Sequence, residues 1–300
     1  SEDEREETLP LSGGCVYRCR FCQTGWMRGP LTCATPDLLV KAALRLKTNM
    51  ANSDLNLLAS DACSAPALED SVNALLRLFR HVSIKSLALS SLMRNPGSLG
   101  LIRKLGKHEF TFGIEGVSPR LRAYLGKQAD TESLAGIVRE LASSGIRQLK
   151  LFFIATGLET ESDLSAFDQL LKKLRATSPG TRLIASFMPL FNAPFTPMQF
   201  AAIRKLPGAL THSLESALHQ ARGEFRWSAP TAEVRLINLL CRMGRAATPL
   251  LEQLSLEKGF RYYGVLPREA LLEAEEYIQA HGARLEQLCA EATEQTLFPW

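Results

Sequence analysis

Short apolar runs alternate along this chain with segments whose apolar residues recur every three or four positions, six runs in all with a helical pattern after each of the first five. Thr8-Leu9-Pro10-Leu11 reads as a first strand. Behind Thr35 as N-cap and Pro36 in the first turn, Leu38, Leu39, Ala42, Ala43 and Leu46 then fall at helical spacing. Leu55–Ser60 predicts a second strand, followed by a helix from Pro66 to Phe79. Ser86–Ser90 predicts a third, with Leu99, Ile102 and Leu105 marking its helix. Phe110–Ile114 is the fourth, followed by helical patterns from Ser118 and over Thr131–Ala142. Gln148–Ile154 with a helix over Glu161–Leu174, and then Arg182–Met188, complete the series.

Strands that are apolar on both faces belong to a parallel sheet covered by helices and joined by right-handed crossovers. The pattern predicts an α/β fold, a partial (open) β/α barrel of about six parallel strands. Chemistry in such a fold gathers at the C-terminal strand ends, which places Asp61, Arg94, Glu115 and Thr156 around one mouth. The proline-rich run Pro189–Pro197 ends the rhythm. Glu224-Phe225-Arg226-Trp227 predicts a short extra strand, and helices are expected over Thr231–Arg242, Pro249–Lys258 and Pro267–His281, the last stopped by Gly282. The expected division is an acidic leader at 1–7, the barrel at 8–223 and a mostly helical C-terminal extension at 224–300.

Composition narrows the classes of function. With 46% hydrophobic residues in 300, the chain can build a substantial core, and no apolar run approaches the roughly 18 residues that cross a bilayer. A net charge of +4 is too slight for a nucleic-acid footprint, so no nucleic-acid or membrane partner is expected. Seven cysteines, three clustered and four scattered, do not resemble a secreted disulfide framework and point to a reducing cytoplasm. Cys33, Cys63, Cys241 and Cys289 read as small hydrophobes or idle thiols. The acidic start lacks a signal core and an initiating Met, which suggests a chain excised from something longer.

The candidate chemistry lies at Cys15, Cys19 and Cys22, a C-x3-C-x2-C array. Three thiolates on one tight loop can hold three corners of a four-iron cluster and leave the fourth iron open for a ligand. A structural zinc site would show a fourth Cys or His nearby, and none follows in Gln23-Thr24-Gly25. With Phe21 before the last cysteine, the array resembles the signature of the radical S-adenosylmethionine (SAM) enzymes. The resemblance extends along the chain and is greatest to the cobalamin-binding type, without its cobalamin domain.

That resemblance implies a 4Fe-4S cluster on the three cysteines, with SAM chelated at the open iron and cleaved reductively to a 5'-deoxyadenosyl radical that attacks an unidentified substrate. Phe21 is expected among the cofactor-binding residues. Asp61 stands where many members carry a Gly-Gly-Glu triplet, which is absent here. Gly113-x-Glu115-x-x-Ser118-x-Arg120, continuing through Arg122 to Lys127, resembles the strand-four segment, in which Glu115 would hold a ribose hydroxyl or ammonium and Arg120 or Arg122 the carboxylate of SAM. Gly157 would lie in the turn whose backbone meets the adenine. No catalytic residue is assigned beyond the cluster. An electron donor such as flavodoxin or ferredoxin is expected, the substrate being a small molecule or a macromolecule. Two alternatives stand: a catalytic fragment of a cobalamin-dependent methyltransferase, with cobalamin on a missing or separate domain, and a non-catalytic iron–sulfur binding or assembly module.

Overall fold

The strands that carry the fold all pair in parallel, as runs apolar on both faces require. The computed structural model describes residues 6–49, 54–95, 97–127, 129–257, 259, 268–280, 285–293, 295–296 and 298. Its strands are β1 (Glu6–Pro10), β2 (Ser12–Gly13), β3 (Thr32–Cys33), β4 (Asp54–Leu58), β5 (His81–Ile84), β6 (Glu109–Glu115), β7 (Gln148–Ala155), β8 (Arg182–Pro189) and β9 (Glu224–Trp227). The first half carries helices α1 (Gln23–Met27), α2 (Pro36–Asn49), α3 (Leu68–Leu75), α4 (Leu89–Arg94), α5 (Gly97–Lys104), α6 (Pro119–Tyr124) and α7 (Thr131–Ala142). The second half carries α8 (Glu161–Thr177), α9 (Gly208–Gln220), α10 (Thr231–Met243), α11 (Thr248–Glu252), α12 (Arg268–Ala280) and α13 (Leu285–Cys289).

The parallel strands form two sheets, ordered β1-β4-β5 and β6-β7-β8-β9, while β2 and β3 make a small antiparallel hairpin around the cysteine loop. The α/β class and the open barrel are thus as the sequence predicts, with β9 completing a seventh parallel strand beside β8. At the join between the sheets, Lys107 Nζ donates to the carbonyl of Ile84 at 2.6 Å and lies over the Phe110 ring. Burial pulls the Lys107 ammonium below its ordinary value, with Lys85 adding to the effect.

The third strand lies earlier than the apolar run Ser86–Ser90 suggests. His81–Ile84 pairs with Asp54–Leu57. Ala62 N–H then donates to the Ser86 carbonyl at 3.1 Å, the Asp61 carboxylate accepts Ala88 N–H at 3.0 Å, and Leu89 opens α4. A short apolar run fits a strand and a buried helical turn equally well, and here Asp61 draws the chain out of the ladder. The second helix is also shorter than predicted, Leu68–Leu75, while Thr131–Ala142 has the predicted bounds. Helix α9, which the sequence analysis leaves unassigned, buries Leu210, Leu214 and Leu218, one turn apart, in the main core. The Gly282 stop lies outside the described residues.

Aromatic side chains knit the second sheet to its helices. Phe153 and Phe187 stack at 5.1 Å between centroids, Phe167 of α8 meets Phe153 edge-on at 5.3 Å, and Phe225 of β9 stacks on Phe187 at 5.2 Å. Each fully buried ring contributes about 1.5–3 kcal/mol. The later helices hold a smaller core of their own around Leu236, Leu250, Leu254, Ala270 and Ala274. Arg242 ties them to the barrel by donating to the carbonyls of Gln199 and Ala201, each at 2.8 Å.

Candidate functional site

Strand β1 delivers the cysteine loop to the C-terminal edge of the first sheet. Leu11 N–H continues the ladder to the Leu58 carbonyl at 2.8 Å, and Ala34 N–H closes the loop on the Leu11 carbonyl at 2.9 Å. The turn into the loop depends on Gly14, whose φ of +74° favours glycine and where a Cβ would lie 2.5 Å from the Pro30 carbonyl oxygen. Gly25 similarly leaves room for the Tyr17 carbonyl. Within the loop, Tyr17 N–H points at Cys15 Sγ at 3.4 Å and Cys22 N–H donates to the Cys19 carbonyl at 3.2 Å. Trp26 Nε1 donates to that same carbonyl at 2.9 Å. Trp26 is thus a half-exposed clamp on the loop.

The loop is fastened to both sheets. Tyr17 hydroxyl lies 2.7 Å from Ser91 Oγ and accepts from Arg94 Nη2 at 2.5 Å. Ser91 and Ser64 in turn donate to Asp61 Oδ2, Ser64 at 2.6 Å. Asp61 is buried, and its carboxylate therefore serves the joint between β4, β5 and α4. On the other side, Arg20 N–H donates to the Leu125 carbonyl at 2.9 Å and Met198 N–H to the Arg20 carbonyl at 3.1 Å. Phe21 packs against Leu125, Ile154, Met198 and Ala201.

The three thiols are free and do not converge as ligands of one ion would: among the described residues, no three His, Cys, Asp or Glu are placed to hold a single metal ion. Cys19 is the most buried of the three, and burial pushes its thiol up to about 11 against the pull of Lys127. Beside the loop opens a cavity of about 630 Å³ lined by Tyr17, Arg18, Ser64, Ser91, Arg94 and Gly126. Soft thiolate donors beside a cavity of this size suit an iron–sulfur cluster and a small-molecule ligand. Cys63 also borders this cavity, but burial and the neighbouring Asp61 raise its thiol to about 12, which marks it as inert.

The segment after β6 shows why its residues are spaced as they are. Gly113 lacks the Cβ that would overlap the Glu115 carboxylate, and Gly116 lacks the one that would overlap the α6 backbone at Leu121 and Arg122. Glu115 itself sits at φ +68°, an uncommon conformation for a non-glycine residue, which turns its side chain toward Lys127. The two pair at 3.5 Å with side chains 14% and 16% exposed. Burial raises the Glu115 carboxyl above its ordinary value, and Lys127 opposes that rise. Ser118 caps α6 by accepting Leu121 N–H and donates to Asp163 at 2.5 Å. Arg120 is held in a two-pronged pair with Asp163, through Nε at 3.1 Å and Nη2 at 2.5 Å.

Arg122 differs from Arg120. It is buried and donates through Nη2 to Thr131 Oγ1 at 2.9 Å, while Nε and Nη1 have no hydrogen-bond partner among the described residues. Gly157, at φ +73°, lies against Arg204, where a Cβ would be 3.0 Å from the Arg204 Cβ. Thr156 is turned to Glu159 Oε1 by its hydroxyl and its N–H. Of the residues expected around the mouth, the structure thus gathers the cysteines, Phe21, Asp61 and Arg94 about the loop, pairs Glu115 with Lys127, and turns Arg120 and Thr156 to internal partners. Lys127 closes the motif that begins at Gly113, and its pairing with Glu115 is the role that the sequence alone left unassigned.

Parallel strands with a three-thiol loop at their C-terminal ends define an α/β protein of open-barrel type. Residues 9–173 match the Radical SAM superfamily, and the chain belongs to that family. Among solved structures, it is similar to Streptococcus suis SuiB bound to precursor peptide SuiA, with a TM-score of 0.50 and 10% identity over 75% of this chain and 49% of that one. It also matches Kitasatospora setae TsrM, a radical SAM methyltransferase with tryptophan substrate and a SAM analogue bound, with a TM-score of 0.49 and 19% identity over 68% of this chain and 40% of that one. The likeness to SuiB shows the fold. The chain spans about half the length of these structures or less. No curated protein matches at the sequence level.

Proposed function

We propose that this chain is a radical SAM enzyme whose cluster rests on Cys15, Cys19 and Cys22. The observation that carries the reading is the three free thiols on one loop, fastened to both sheets and flanked by a cavity of about 630 Å³. The chemistry supplied there is one-electron reductive cleavage of SAM to methionine and a 5'-deoxyadenosyl radical. The protein's own part is to hold, orient and shield.

Glu115 and Lys127, nearly enclosed and aimed at each other, are ready to receive the polar groups of SAM. Arg18 and Arg94 supply further positive charge at the cavity, each stacked on an aromatic ring, Trp26 and Tyr17 respectively. Phe21 closes the apolar side of the loop. Asp61 and Arg120 act as positioning residues, the first through Ser91 and Tyr17, the second through Asp163. Gly157 shapes the turn after β7 at Arg204. We place the catalytic unit at 8–223 together with β9, and the remaining extension over a second cavity of about 450 Å³ at the ends of β7 and β8. A flavodoxin- or ferredoxin-like donor and a cytoplasmic setting complete the reading.

The test is anaerobic reconstitution with iron and sulfide, followed by SAM and dithionite. Production of 5'-deoxyadenosine by the wild type but not by Cys19→Ala supports the reading, and its absence from cluster-loaded, SAM-bound wild type refutes it.

A further inference from the structure

Arg122 is 2% exposed and is a buried cation whose only hydrogen bond among the described residues goes to a hydroxyl. No carboxylate among the described residues forms an ion pair with it. Asp130, whose charge acts on it, uses Oδ1 to accept Ser133 N–H at 2.7 Å and so cap α7. Arg120, two residues earlier, shows the contrast, since it has a carboxylate to itself. A guanidinium taken out of water without a partner is costly, and a bound anion is what would offset that cost.

The space for one is present. Arg122 lines a cavity of about 750 Å³ between α4, α6 and the start of α7, together with Arg94, Lys127, Thr131 and the carboxylates Asp130 and Glu132. This cavity shares Arg94 and Gly126 with the one beside the cysteine loop, yet no residue of 15–22 lines it. SAM chelated at the cluster must keep its carboxylate against that loop. The adjoining cavity is therefore open to a second molecule.

We propose that this cavity binds an anionic group, a carboxylate or a phosphate, of the substrate, held by the unpartnered guanidinium of Arg122 and flanked by Arg94 and Thr131. The assignment to substrate rests on the SAM reading above, whereas anion binding itself does not. The lining carboxylates are engaged elsewhere, Asp130 in capping α7 and Glu132 in a pair with Lys173, and Lys127 is paired with Glu115, which leaves the Arg122 guanidinium as the buried unpaired charge of this space among the described residues. The shared wall at Arg94 and Gly126 sets the rest of the substrate beside the cluster.

Inorganic phosphate titrated into the full chain, followed by calorimetry, provides the test. The wild type is expected to bind one phosphate, with Arg122→Gln weaker by on the order of tenfold or more. Arg122→Lys should retain part of the binding. Ala123→Glu places a carboxylate on an exposed position of the same wall and should abolish binding with the fold intact by circular dichroism. This second variant decides the matter if Arg122→Gln does not fold. Equal phosphate affinity in the wild type and Ala123→Glu would overturn the proposal. So would mole-for-mole displacement of phosphate by SAM in cluster-loaded protein, because the site would then be that of SAM. If the SAM reading itself were wrong, cluster-loaded protein would fail to bind SAM while the phosphate titration kept its outcome.

Discussion

At the scale of single residues, the segment after β6 is where small changes have large effects. A methyl group at Gly116 would lie 2.9 Å from the Arg122 Cα and closer still to two other α6 backbone atoms, so no rotamer can relieve it. Gly116→Ala should cost about 1–3 kcal/mol, read as a lower midpoint in urea unfolding. Asp163 is the second such point. Burial works to raise its carboxyl, but hydrogen bonds from Arg120, Ser118 and Thr160 outweigh that and hold it well below the usual range. Its folded value is thus depressed, so its stabilisation is complete above the ordinary carboxyl pKa of ~3.9 and is lost as pH falls below it. Asp163→Ala should lower stability at neutral pH by on the order of 3 kcal/mol, with the gap to wild type narrowing in acid. At this scale, the spacing of the cysteines and of Gly113, Glu115 and Lys127 was legible in sequence. Which arginine had its own carboxylate was not, because Asp163 lies 43 residues from Arg120 and only the fold brings them together.

At the scale of elements, the loop and the first sheet are joined by the relay from Asp61 through Ser91 to Tyr17 and Arg94. Asp61→Asn keeps the shape but replaces an acceptor with a donor facing Ser64 and Ser91. It should cost on the order of 2 kcal/mol and lower the iron retained after reconstitution and desalting, as measured by a colorimetric iron assay. The same residue explains the displaced third strand. Ser86–Ser90 has strand-like composition, and the long-range bonds from Ala62 N–H to the Ser86 carbonyl and from Ala88 N–H to Asp61 hold it outside the ladder on the way to α4. Helix α9 was not assigned from the sequence, although Leu210, Leu214 and Leu218 fall at helical spacing. The proline-rich run before it obscured the period.

At the scale of the whole molecule, the β/α rhythm conveyed the fold because each unit must bury a strand on both faces, and that requirement is written in the local sequence. How the strands divide into two ladders was not, since the contact of the half-buried Lys107 with the Ile84 carbonyl and the Phe110 ring, across the break between β5 and β6, is made only in the fold. The aromatic stack in the second sheet buries Phe153, Phe167 and Phe187 fully, and Phe187→Ala should cost about 3–5 kcal/mol in a denaturant melt. The central claim concerns the loop that both sheets hold. It is tested most directly by counting 5'-deoxyadenosine formed by the anaerobically reconstituted protein with SAM and dithionite, beside Cys19→Ala and the remote control Cys241→Ala. The account predicts product from wild type and Cys241→Ala and none from Cys19→Ala. A wild type that holds its cluster and binds SAM yet forms no 5'-deoxyadenosine would contradict it.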